Sequence, residues 1–526
     1  MGQVGNRCRR GSGFSGRLRS PSPRILWWET GLASPDTIAS VINEELGAKV
    51  LSAVKAAKAL ALDYAATGKW MPRERLPELG IYQGGWPSFS PPVIGSDDGP
   101  RKLNALFGLK WDSLVPFAYN DVPELVQLLN YVQDHPDIAD LFQIWMPDGS
   151  LNPHQELHEV MTRVGAAGLA TSVMARADAL GIGSDAELTQ LYEEREAALL
   201  APSLAAELVV PLTVVDIEFG ERLPLSEHVW IERMQDKLQI ARAPDDSSIY
   251  AVPPPLAGAA VVAIVVGGLT LENSPHWKRQ WRTGFDGLPL DVVDDVCAAL
   301  RILSNAQIGY SQVLIRPVGW ADHWKHDLPA LEEIGRVRRY SSALDHYGWL
   351  RKRASIPAKE VDGLRGVFER LRSAPPRVKL AARRLSKSAM EPREPDSAVD
   401  ACIGIEALVG EEHDELVHRM ALRAATALAA NSNPQVTYDA VRSAYSYRSA
   451  IVHGTEPSKK KQLVPLPGGG MVSARTLARI LLCALLRSVL AADGAWTPAT
   501  LDARLLASLD ASDLDETAAA DELDPS

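Results

Sequence analysis

Cysteine is scarce in this chain of 526 residues: Cys8, Cys297, Cys402 and Cys483 are scattered, and no CxxC pair occurs. That sparseness excludes a disulfide framework and a zinc knuckle, and it suits a reducing compartment. Long apolar runs are also missing. The longest, AAVVAIVVGGLTL at 259–271, is too short to cross a bilayer as a helix and reads as a buried strand. The apolar segment 480–492 is equally short and contains Arg487, so a core helix is expected there. No Walker A loop, Rossmann fingerprint or internal repeat is found, which argues against a nucleotide-driven motor. A net charge of -11 rules out a surface basic enough to be coated with nucleic acid, though not a local basic site. The chain is therefore expected to be cytoplasmic, without a membrane anchor.

What is present describes a globular protein of two or three domains: 46% hydrophobic residues, 23% charged, and too much chain for one core. Residues 1–34 open with a basic stretch lacking both acidic residues and the apolar core of a secretory signal. They are read as a disordered leader. From 35 to 205 the pattern is helical, with helices expected at 35–67 (capped by Ser34 or Asp36), 121–143, 153–180 and 185–200. The Pro-, Gly- and Trp-rich stretch 70–99 reads as an ordered loop. Between 206 and 350 strands are expected in AELVVPLTVVDIEF, at 259–271 and at 309–319, with helices at 226–240 and 289–304.

From 351 to 510 the spacing predicts helices at 358–373, 376–390, 396–409, 413–430, 435–453 and 473–492, joined by short links as in an up-and-down bundle. PLPGGG marks a break before the last of these. Residues 511–526 are acidic and without aromatics, as a disordered tail would be. The fold class that results is mainly α, with a central α+β region and a C-terminal helical bundle.

One stretch of that bundle is chemically unusual. YSYRSAIVHG, at 445–454, puts Arg448 and His453 in the closing turns of a helix. Five residues advance about 500°, so the two side chains point about 140° apart and lie about 7.5 Å apart along the axis. That geometry is poor for a mutual contact. Arg448 falls on an apolar stripe through Val441, Tyr445 and Val452, where a guanidinium needs a partner. Gly454 suits a left-handed cap. A structural role is one reading, with Arg448 bonded to Glu406 and His453 meeting the helix dipole. A site for a ligand or a second chain is the other.

The motif resembles that of the HEPN superfamily (higher eukaryote and prokaryote nucleotide-binding), in which Arg-x4-His closes the penultimate bundle helix. YSYRSAIVHG is most similar to its Apea-like branch, and DACIGIEALVGEEHDELVHRMALRAATAL at 400–428 resembles that branch's first paired helices, with Glu406 at the polar core position. The resemblance covers about 396–490. It implies a metal-independent endoribonuclease, without a cofactor, that pairs two bundles in a homodimer, so that motifs from both chains line one cleft. Arg448 and His453 then carry the chemistry, with Glu406, Tyr447 and Ser449 in support. An imidazole titrates near neutrality and can move the protons of a 2′-hydroxyl attack, while a guanidinium can stabilise the charged phosphorane. Active members often place Asn, Asp or His after the arginine, and here it is Ser449. The resemblance also points to a bacterial antiphage or growth-arrest effector, with sensing regions upstream. The alternative is an inactive module that binds RNA, a nucleotide or a partner protein.

Lys459, Lys460 and Lys461 follow His453 closely and are read as an RNA-binding cluster. Residues 351–390 hold twelve Lys and Arg against Glu360, Asp362 and Glu369, and could track a phosphate backbone or form a solvated face. His154 and His158 have zinc-ligand spacing but no third ligand, so no metal is expected. HWKRQW at 276 and WADHWKHD at 320 could stack on bases or simply pack.

Overall fold

The computed structural model describes residues 42–508 apart from 92–98, 110–114, 143–154, 245–251, 274–284, 286, 305, 354, 412–415, 466–469 and 493–495. The leader and tail, the caps Ser34 and Asp36, His154 and HWKRQW lie outside the described residues. The chain is mainly helical, with a central α+β region. Among the described residues no helix is long and apolar enough to cross a membrane.

Helix α1 (Glu44–Ala66) is capped by Asn43, whose Oδ1 accepts the Leu46 N–H at 3.0 Å. Its buried face, Leu46, Val50, Val54, Ala57 and Ala61, has the spacing of a helical stripe. That face packs with α2 (Pro123–Asp134), α3 (Gln155–Ala179) and α4 (Asp185–Leu200) around one core. Glu196, 1% exposed on α4, accepts the N–H groups of Ile42 and Asn43 at 2.6 and 2.9 Å, and so neutralises the start of α1. The expected loop at 70–99 instead contains a hairpin, β1 (Glu78–Ile81) and β2 (Pro87–Ser90), with Trp86 fully buried in the turn between them.

The central region is a six-stranded antiparallel sheet. In chain order its strands are β3 (Ser203–Pro211), β4 (Arg222–Pro224), β5 (Val229–Arg233), β6 (Val262–Glu272), β7 (Tyr310–Pro317) and β8 (Glu332–Arg339). They pair in the order β8-β7-β3-β6-β5-β4. Val262, Ile264 and Val266 face one core while Ala263 and Val265 face another, which is why β6 is a continuous apolar run. The helix expected at 226–240 is strand β5 over its first half, followed by one short helix, Asp236–Ala241. Val229 and Ile231 enter the large core and Trp230 the opposite one, a period of two that the apolar residues downstream had obscured.

Helix α5 (Leu290–Ser304) joins the sheet to the C-terminal helices. Val292, Val293, Val296 and Leu300 pack on the sheet, while Ala298 and Ile302 enter the next core. Helix α6 (Leu364–Ser373) divides likewise, with Leu364 and Phe368 on the sheet side and Leu371 on the other. The remaining helices are α7 (Pro376–Met390), α8 (Glu394–Val409), α9 (Leu416–Leu428), α10 (Pro434–Val452) and α11 (Ala474–Ala491), and they share that core. Arg487 of α11 donates to the carbonyls of Ile302 and Leu303 at 2.5 and 2.6 Å, which closes the end of α5. Gly404 lets α8 approach α11: a Cβ there would lie 2.6 Å from Leu482 Cδ2. Between α10 and α11 come a single helical turn, Lys459–Gln462, and a hairpin, β9 (Leu463–Pro465) and β10 (Met471–Ser473), which spans the expected break.

Candidate functional site

Three helices of this bundle set the surroundings of Arg448. Helix α8 brings Cys402 and Glu406, α10 brings Tyr445 and Arg448, and α11 packs against both helices. Arg448 Nη2 lies 3.4 Å from Glu406 Oε1, and its guanidinium carbon sits 5.6 Å from the Tyr445 ring centre. The two charged side chains are 28% and 24% exposed, so the pair is recessed but open to water. Arg448 Nε, Glu406 Oε1 and the Tyr445 hydroxyl are buried and make no hydrogen bond to any described residue. The guanidinium is thus held electrostatically while donor capacity remains unused.

Burial raises the carboxyl pKa of Glu406 above its ordinary value, and Arg448 partly offsets that rise. Cys402, one turn before it, has its thiol pushed up to about 12 by burial, with the Glu406 charge adding to the shift. It packs as an inert core residue.

Helix α10 ends as its sequence implies. His453 is the C-cap, and its N–H donates to the Ser449 carbonyl at 3.1 Å. Gly454 follows at φ 69°, its N–H bonding to Ile451 O at 3.0 Å, while Thr455 N–H reaches Ala450 O at 2.8 Å. These paired bonds form a Schellman motif, which ends the helix abruptly. His453 is exposed as a result. Its place five residues after Arg448 keeps the imidazole off the Glu406 side of the helix. Val452 is 54% exposed, so the buried stripe does not continue to it as expected; the cap turns the chain away from the core first.

The supporting residues separate. Tyr447 is buried with Ala398 and Ala474, and its hydroxyl pKa is raised by burial and by Glu394. Ser449 is half-buried. Lys459 and Lys461 are exposed on the helical turn that follows the cap, and Lys460 belongs to the same turn. Cavities of about 310, 410 and 480 Å³ lie elsewhere, and neither Arg448 nor His453 lines them.

Most of the basic run at 351–390 serves the fold. Arg353 holds Asp216 at 2.7 Å, Arg372 reaches Asp295 at 3.4 Å, and Arg384 and Lys387 share Asp400 at 2.7 and 3.3 Å. Arg351, Arg370 and Arg377 donate to backbone carbonyls, and Arg365 pairs with Glu369. That leaves little of it for a phosphate backbone. WADHWKHD is packing as well: Trp320 is 3% exposed, and the Trp324 ring has the guanidinium groups of Arg176 and Arg195 each 5.8 Å from its centre. His158 lies half-buried on α3.

Sequence reasoning overlooked the carboxyl of Glu196 and the way α5 is shared between two cores. Nothing in the local sequence marks either. In comparison with known proteins, no family model, no curated protein and no solved structure matches this chain.

Proposed function

We propose that the chain is a metal-independent endoribonuclease of the HEPN type, a bacterial antiphage or growth-arrest effector whose N-terminal and central regions sense a trigger. The observation that supports this most is the division of labour on α10. A guanidinium with spare donors is steadied by Glu406, and an imidazole stands in solvent at the cap just beyond it. Arg448 stabilises the phosphorane, His453 transfers the protons of the 2′-hydroxyl attack, and Lys459, Lys460 and Lys461 hold the flanking strand.

A second bundle completes the site. Val452, Leu463, Met471 and Ile480 are 54%, 45%, 58% and 44% exposed, on or beside the elements that carry the motif. They are the apolar residues of a surface that a homodimer would cover.

The same ion pair also favours a second reading. Glu406 answers Arg448 inside the bundle, as a purely structural arginine requires, and the module then only binds RNA, a nucleotide or a partner protein. Incubation of total RNA with the wild type, Arg448→Ala and His453→Ala in EDTA separates the two. The nuclease reading predicts cleavage by the wild type and a loss of about 100-fold or more in each variant. RNA binding without cleavage by any of the three would establish the binder instead.

A further inference from the structure

The connection between β7 and β8, residues 318–331, is tied down at many points. Trp320 Nε1 donates to Ala205 O at 2.6 Å, and Ala321 N–H to Glu194 O at 2.9 Å. Arg195 donates to Ala321 O at 2.8 Å, while Arg176 donates to His326 O and Leu328 O at 2.5 and 2.9 Å. Lys237 pairs with Asp327 at 2.5 Å. A long connection tied this firmly holds its backbone in a set path, which fixes where its side chains start from.

Two of those side chains converge on the start of β8. One donor atom each from Asp322, His323 and Glu332 lie within 4.8 Å of one another, and His323 Nδ1 is 4.0 Å from Glu332 Oε1. Glu332 is 8% exposed, whereas the His323 side chain is 52% exposed. Arg195 Nη1 stands 3.7 Å from Asp322 Oδ1, in the place of an outer partner to that carboxylate. Two carboxylates therefore approach one imidazole at the edge of a fixed loop, with one guanidinium behind them.

We propose that Asp322, His323 and Glu332 bind a divalent first-row transition metal. Bonds of about 2.0–2.2 Å place donor atoms roughly 3.3 Å apart, so the three must close by about an ångström. Rotation of the exposed imidazole and of Asp322 supplies that movement without disturbing buried Glu332. One nitrogen and two oxygen donors select zinc or manganese over calcium, which takes six to eight oxygens. Three protein donors leave a position for water. The cluster belongs to the central sheet and not to the bundle, so the inference stands apart from the nuclease reading.

The test uses the full chain, stripped with EDTA, returned to chelator-free buffer and titrated with Zn²⁺ by calorimetry, with bound metal counted by elemental analysis. One equivalent per chain is expected, with affinity at least about tenfold weaker in both His323→Ala and Asp322→Asn. Because His323 is exposed, His323→Ala should melt like the wild type in metal-free buffer, which separates lost ligation from lost folding. A wild type that takes up no Zn²⁺, or uptake unchanged by His323→Ala, would overturn the site.

Discussion

Glu406 and Arg448 are the residues whose chemistry can be read most directly in solution. The Glu406 carboxyl holds its proton more tightly in the folded protein than at the ordinary value of 4.5, because burial disfavours its charge. Its contribution to stability is therefore complete below about pH 4.5 and is lost as pH rises through the folded pKa. Glu406→Gln should flatten that fall, and Arg448→Ala should steepen it, because the offsetting cation is gone. Urea unfolding from pH 4 to pH 7 measures both, and parallel curves for all three proteins would contradict the assignment. The cysteines give a second prediction at this scale. Cys297, Cys402 and Cys483 have thiols pushed up to about 12, 12 and 11 by burial. None of these three should react with a thiol reagent at pH 8 until denaturant is added, as peptide mapping of the labelled chain will show.

At the scale of elements, caps and close approaches carry the structure. Gly454 at φ 69° is the pivot that exposes His453, and Gly454→Ala should cost about 1 kcal/mol through the left-handed conformation alone. Gly404→Ala should cost about 1–3 kcal/mol, because the added Cβ meets Leu482 and α8 must move off α11. Thermal and urea unfolding measure both. Helices were the most legible elements in the sequence, since stripes such as Leu46–Val50–Val54 and caps such as Gly454 are local signals. Strand β5 was not, because Met234 and Leu238 extended its apolar residues at helical spacing. The β1–β2 hairpin was hidden by the prolines and glycines around it. The fate of the basic run was beyond local reading: Asp216 and Asp295 lie 137 and 77 residues from the arginines they pair with.

The described chain is a helical N-terminal unit, a sheet buried on both faces and a set of C-terminal helices around one core, with α5 and α6 shared between the last two. Under the proposed function the bundle must also pair with a second copy. Met471→Asp, which puts a charge into the exposed apolar group, should shift the chain toward monomer in sedimentation velocity and reduce cleavage most at low protein concentration. A wild type that stays monomeric at high concentration while cleaving RNA would separate activity from pairing.

The most direct test of the central claim is the scissile nucleotide itself. An RNA cut by the wild type in EDTA is remade with a single 2′-deoxy residue at the cleavage position, and the product ends are mapped. The account predicts 2′,3′-cyclic phosphate ends on the all-RNA strand, no cut at the substituted position, and neither product with His453→Ala. Undiminished cutting beside the deoxy residue would contradict it.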